Sequence, residues 1–306
     1  EKIPMLTRED ISREIAPIYN EEMKIADIPT VFHEIETNGI GYLDLMFDLS
    51  DVPEKDLPMV GLLQAVLGII DTEHYEYGEL FNEINRHTGG IGTSLELYPD
   101  VTKVKEKEFK ATFEIKGKAL YGQIPFAIRM MKEILTASKL DDEKRLKEIL
   151  SMTKTRLQDR FLSAGHSAAA LRAMSYKSPI SKFKDTTNGI EYYQNIREME
   201  EHFDEKKEEI ISGLKALSEL LFRKGNVMIS YTASREGLAV LEEEIGSLKE
   251  ALYPERMPQS RCILHCEKKN EGFKTASKVQ YVARCGNFID QGAEYTGALQ
   301  VLKVIM

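Results

Sequence analysis

The sequence predicts an α+β fold, an antiparallel sheet packed against helices. Two stretches, residues 31–49 and 92–115, carry apolar side chains with partial two-residue alternation, as half-buried strands do. From about residue 124 to 222 the apolar spacing is helical instead. A final strand and helix follow over residues 226–252.

Residues 1–28 read as a helical connector, with Thr7 and Asp10 spaced as a capping box for a helix through about Tyr19. Val31–Glu36 and Tyr42–Leu49 have strand composition and flank Thr37-Asn38-Gly39, where Asn-Gly supplies the positive φ of a tight turn. A β-hairpin is the expectation. Helices are expected at about Leu57–Ile69 and Tyr77–His87, the second closing at Gly89-Gly90, where glycine adopts a left-handed cap at low cost. Gly92–Tyr98 and Glu108–Ile115 form a second strand pair, with Phe109, Ala111, Phe113 and Ile115 on one face.

In the helical stretch, Leu146, Ile149, Leu150, Leu157 and Phe161 recur until Gly165, and Ile210, Leu214, Leu217 and Leu221 recur until Gly225. Between them, Ala168-Ala169-Ala170 has small side chains that let a neighbouring element come close. Asn226–Tyr231 is one more strand, followed by a helix from about Ser234 to Leu252. Pro254 and Pro258 then mark a linker. Beyond it, a strand at Lys278–Cys285 and a helix from near Tyr295 repeat the pattern of Gly41–Phe47 and the helix containing Gly61–Leu67. The expected organisation is therefore a connector at 1–28, one complete α+β unit at 29–252, and the opening of a second unit at 253–306.

The 306 residues are 42% hydrophobic and 30% charged, which suits a folded core and excludes disorder, collagen and coiled coil. A net charge of -9, with no Lys/Arg stripe interleaved with aromatics, argues against a nucleic-acid partner. No apolar run reaches the ~18 residues that span a bilayer, so no membrane role is expected. Three cysteines do not make a disulfide framework and point to a reducing compartment, with the cytoplasm as default. Glu1 at the start and an uncapped apolar helix at the end suggest a fragment, which leaves an organellar address open.

The candidate chemical constellations have simple structural readings. His33, His74, His87, His166, His202 and His265 form neither His-x-x-Glu-His nor its reverse. Cys262, His265 and Cys266 are close in sequence, but on a strand the histidine points away from both thiols. Gly89–Ser94 runs from helix into strand, the wrong direction for a phosphate loop. Ser163-Ala164-Gly165-His166-Ser167 sets hydroxyls beside an imidazole at a break between helices, with no third group in view. The acids from Glu198 to Glu209 read as a solvated helix face, with docking of basic peptides as the minority view. No catalytic, cofactor-binding or metal-ligating residue is expected in this chain.

Thr37-Asn38-Gly39-Ile40-x-Tyr42, Phe47-Asp48-Leu49, Asp71-Thr72-Glu73-x-Tyr75-x-Tyr77-x-Glu79-Leu80 and Thr88-Gly89-Gly90-Ile91 occur in order. Together they resemble the associated, non-catalytic region of presequence proteases, in the pitrilysin/insulinase superfamily of zinc metallopeptidases. The likeness runs over essentially the whole chain. It implies a pitrilysin/insulinase-type domain repeat: the end of a linker between two halves, a complete third domain and the start of a fourth. It further implies that zinc and its His-x-x-Glu-His helix lie in the parent's N-terminal half, while this portion helps enclose unfolded peptides. An Arg and a Tyr that such enzymes supply from the fourth domain have no counterpart before Met306. On this expectation the isolated chain is inactive. An inactive scaffold of the same fold is the alternative, and independent chemistry at Ser163, His166 or Cys262/Cys266 is a third.

Overall fold

The computed structural model describes residues 5, 7–12, 14, 19–100, 102–255, 262–276 and 278–305. In chain order its main elements are β1 (Glu21–Ile25), β2 (Ile28–Glu34), β3 (Ile40–Asp48), α1 (Leu57–Val66), α2 (Tyr77–His87), β4 (Ile91–Pro99) and β5 (Phe109–Leu120). Next come α3 (Ile124–Thr136), α4 (Glu143–Ser163), α5 (Gly165–Ser175), α6 (Pro179–Asn188), α7 (Ile190–Glu201) and α8 (Phe203–Leu221). The series ends with β6 (Val227–Ala233), α9 (Arg235–Ala251) and α10 (Gly297–Ile305).

The six strands form one sheet in the order β1-β2-β6-β3-β5-β4. All neighbours are antiparallel except β2 and β6, which run parallel. The α+β class therefore holds, and the hairpin expected between residues 31 and 49 is corrected. β2 and β3 do not pair; β6, about 200 residues later, lies between them. Asn38 and Gly39 do take positive φ, at 53° and 80°. That turn only redirects the chain across the width of the intervening strand.

The hairpin is instead β1–β2, with Ile25 opposite Ile28 and a two-residue turn of Ala26 (φ 49°) and Asp27 (φ 58°). Ordinary residues at positive φ gave no glycine signal to read. Consequently Glu21–Ile25, expected in the helical connector, is an edge strand. Of the connector's expected helix, Arg8–Asp10 is a single 3-10 turn, in which the Asp10 carboxylate accepts the Thr7 N–H at 2.7 Å. Residues 13 and 15–18 lie outside the described residues.

One sheet face is apolar. Ile28 and Phe32, Leu43, Leu45 and Phe47, Phe113 and Ile115, and Ile229 and Tyr231 are buried against the helices. Phe222, just past α8, meets Phe47 and Phe113 edge-on at 5.0 and 5.4 Å and joins the helical layer to the sheet centre. The helical spacing of Leu146, Ile149, Leu150 and Leu157, and of Ile210, Leu214, Leu217 and Leu221, places all eight in this core.

Local chemistry sets the helix ends. The Asp142 carboxylate accepts the Arg145 N–H at 3.0 Å and starts α4, and Asp185 accepts the Ile190 N–H at 2.9 Å and starts α7. Gly90, at φ 107°, makes the expected passage from α2 into β4.

Past the proline linker, of which residues 256–261 lie outside the described residues, the expectation of a second strand fails. Lys278–Cys285 has no strand pairing among the described residues, and 262–276 is coil. The alternation is present, yet no neighbouring strand supplies ladder partners. The expected C-terminal helix is present as α10, with none of its residues buried.

Candidate functional site

The second face of the sheet carries no helical layer among the described residues. Along β6 and β2, exposed or half-buried positions alternate with fully buried ones, and Tyr42 and Tyr98 keep 43% and 45% of their surface in solvent. Strand register places the side chains of this face in rows. Val31, Ser230, Asp44 and Lys116 stand side by side in one row; Met228, Met46, Glu114 and Ser94 form the next.

A polar cluster occupies the centre. Glu114 is fully buried; its Oε1 accepts hydrogen bonds from the Tyr98 hydroxyl at 2.7 Å and the Thr112 hydroxyl at 2.6 Å. The Lys116 ammonium lies 2.9 Å from Glu114 Oε2 and 3.0 Å from Glu96. Burial works against the charged lysine, but its bonds to Glu114 and Glu96 prevail and raise its pKa. Burial also pushes Asp44 up, opposed by Lys116 and reinforced by Glu114 and Glu96. Tyr98 rises too, through burial and then its bond to Glu114. Lys116 is thus paired with Glu96 and with the buried Glu114, and Asp44 stands beside it in the same row.

Beside it, His33 Nε2 lies 3.3 Å from the Ser230 hydroxyl, and Nδ1 lies 2.8 Å from Asn20 Oδ1. That is the order of a nucleophile, a base and an orienting group. Ser230, however, sits on a central strand whose edges pair with β2 and β3. Backbone N–H groups that an oxyanion would need are committed to the ladder. The arrangement therefore lacks the free N–H donors that acyl transfer would need.

The other histidines are dispersed. His74 binds Glu133 at 3.0 Å, His87 faces Glu83 at 3.6 Å and Phe126, His202 faces Glu205 at 3.6 Å, and His265 binds Glu54 at 2.8 Å. His166 lies against Tyr281, while the neighbouring Ser163 hydroxyl donates to the Arg160 carbonyl at 3.3 Å, so they form no dyad. Cys262 is half-buried and Cys266 exposed, on coil rather than the expected strand. Burial lifts the Cys262 thiol to about 11, away from thiolate chemistry. Three of the acids between 198 and 209 pair with lysines: Glu198 with Lys206 at 2.5 Å, Glu200 with Lys154 at 2.6 Å and Asp204 with Lys147 at 3.2 Å. Among the described residues no three His, Cys, Asp or Glu side chains gather to hold a metal ion, so the zinc implied by the resemblance finds no fitting donor set here.

The Asp44–Glu96–Tyr98–Glu114–Lys116 cluster was missed by sequence reasoning. Its signal was the complement of the apolar alternation: Lys110, Thr112, Glu114 and Lys116 each follow one of Phe109, Ala111, Phe113 and Ile115. Of the residues carrying the family resemblance, Phe47 and Leu80 are core, while Asp71 and Thr72 build a turn. Asp71 accepts the Tyr77 N–H at 2.8 Å and Thr72 the Tyr75 N–H at 3.1 Å, shaping the entry to α2.

A family model for the associated region of subfamily C of the M16 peptidases matches residues 1–199. The chain is 35% identical over 306 residues to protein HypA of Clostridium perfringens, covering 100% of this chain and 31% of that one. It is 25% identical over 304 residues to presequence protease 1, chloroplastic/mitochondrial, of Arabidopsis thaliana, covering 98% and 28% respectively. The chain thus spans about three tenths of the length of these relatives. A solved structure of a peptidase M16 inactive domain from Pseudomonas fluorescens superposes with a TM-score of 0.50 at 14% identity, over 82% of this chain and 54% of that one. A conserved protein from Enterococcus faecalis gives 0.52 at 11% identity, over 79% and 54%. At such identities the structural likeness is one of fold. With the family model matched over most of its length, the chain belongs to the peptidase M16 family's subfamily C associated region.

Proposed function

We propose that this chain forms a non-catalytic wall of a chamber in which a presequence-protease-like zinc metalloendopeptidase degrades peptides. The observation that carries the reading is the uncovered sheet face, where fixed carboxylates, hydroxyls and one ammonium stand on a rigid support. A packed sheet with one apolar face and one polar face makes a wall: the first is sealed by helices, the second is free to meet a polar, extended chain. Unfolded peptides are the proposed substrates. The N-terminal catalytic half of the same polypeptide is the proposed partner, and it would hold the zinc that activates water for peptide-bond hydrolysis. Within this division the present residues exclude water and limit substrate size, and the isolated chain does not hydrolyse peptides. The cytoplasm is the proposed compartment.

The test is a side-by-side metal analysis and peptide-cleavage assay of this chain and its full-length parent. Zinc and cleavage are expected in the parent alone. Metal-dependent cleavage by the isolated chain would overturn the proposal, and a folded parent without zinc or cleavage would favour the scaffold reading.

A further inference from the structure

Residues 262–276 have no regular secondary structure and bury little apolar surface; Cys262 and Leu264 are its residues that pack, half-buried, on the core. Polar fastenings hold the segment. The Cys262 N–H donates to the Ser50 carbonyl at 2.6 Å, and the His265 N–H donates to Glu54 at 3.0 Å while its Nδ1 lies 2.8 Å from the same oxygen. At the far end Glu271 is gripped by one edge of a guanidinium: Arg172 Nε donates to one carboxylate oxygen at 2.8 Å and Nη2 to the other at 3.1 Å, and the Tyr176 hydroxyl adds a third bond. Such a forked pair is directional as well as ionic.

Arg172 is also held from inside. Its Nη1 donates at 2.6 Å to Asp185, a carboxylate with no exposed surface, and at 3.2 Å to Glu191. The two arms differ in exposure. Side-chain exposure is 0% for Asp185 and 29% for Glu271, and His265 at the other fastening reaches 82%. Salt screens exposed pairs strongly and buried ones little. The inner arm therefore keeps the guanidinium in place when the outer arm lets go.

The segment's seat is α5, where Ser175 is the buried residue. Arg172 and Tyr176 mark its C-terminal end, and at its N-terminal end the Tyr281 ring lies so close to Gly165 that an added Cβ would come within 2.7 Å of it. The run of small side chains at Ala168-Ala169-Ala170 lies between these two contacts.

We propose that residues 262–276 are a releasable strap on α5, latched by Glu271 in the Arg172/Tyr176 fork, which undocks and redocks while the sheet and its core stay folded. The proposal is independent of the peptidase reading, since it concerns how the C-terminal segment is coupled to the α+β unit. Segments with few buried apolar contacts open at far lower free energy than core strands.

Hydrogen exchange on the 306-residue chain tests it. Raising NaCl from about 0.1 to about 1 M should speed exchange of the hydrogen-bonded Cys262 and His265 amides about tenfold and leave β3 and β6 unchanged. Glu271→Gln at low salt should reproduce the acceleration and remove most of the salt response. Strap exchange indifferent to both salt and substitution would overturn the proposal, as would acceleration shared equally by β3 and β6.

Discussion

Residues 21–252 and 262–305 carry similar patterns and meet opposite fates. In the first region Leu45, Phe113 and Ile229 have no exposed surface; in the second Val282 and Val304 are 86% exposed and Ile305 75%. Both regions have strand-like alternation and amphipathic helical spacing. What differs is the presence of neighbours: β3 and β5 each lie between two strands, whereas Lys278–Cys285 has none beside it among the described residues. Hydrophobic pattern makes a strand possible, and ladder partners make it form.

The contrast is most sharply broken or upheld by truncating one apolar side chain in each region. Phe113→Ala should cost about 3–5 kcal/mol in chemical denaturation, because it empties a fully enclosed site under Phe222. Val282→Ala should stay within about 0.5 kcal/mol. A large loss from Val282 would mean that the C-terminal segment is integral to the cooperative core.

A smaller effect separates two glycines. A Cβ at Gly61 would lie 2.5 Å from the Thr187 carbonyl and 2.7 Å from the buried Tyr192 ring, so Gly61→Ala should destabilise by about 1–3 kcal/mol. Gly286 has nothing within 4 Å of such a Cβ, and Gly286→Ala should change stability by less than about 0.5 kcal/mol. Equal losses in thermal melts would erase the distinction between a close-packed and an open region.

The smallest effect concerns pH. Its hydrogen bond with Arg172 foremost, opposed by burial and aided by Tyr176 and the Arg172 charge, holds Glu271 below its ordinary value of 4.5. A depressed carboxylate stabilises the docked strap above 4.5 and loses that contribution as pH falls through the lower bound-state value. Amide chemical shifts at residues 264–276 should move toward coil values on such acidification and stay flat from about pH 6 to 8. Shifts that stay flat through this acidification would remove Glu271 from the latch.

Much of the unit from α1 to α9 was legible in the sequence because its signals are local. Tyr77–His87 ends where expected, just before a glycine with positive φ, and the regularly spaced leucines of α4 and α8 face the core. Strand order was not legible. Nothing near Asn38-Gly39 reveals that β6 will occupy the space between β2 and β3, and the positive φ of Ala26 and Asp27 leaves no compositional mark. The candidate site was half legible: the polar side of β5 can be read directly, but its meeting with Asp44 and Glu96 required the register of three strands.

By itself the sequence determined the α+β class, the helices and most strands, and the membership of the core, because periodicity and turn chemistry act over a few residues. Tertiary structure alone decided which strands adjoin, which face stays open, and that one arginine joins α5, α6, α7 and the C-terminal segment. Those outcomes depend on contacts between residues far apart in the chain, whose free energy is realised only when the whole sheet closes on its helices.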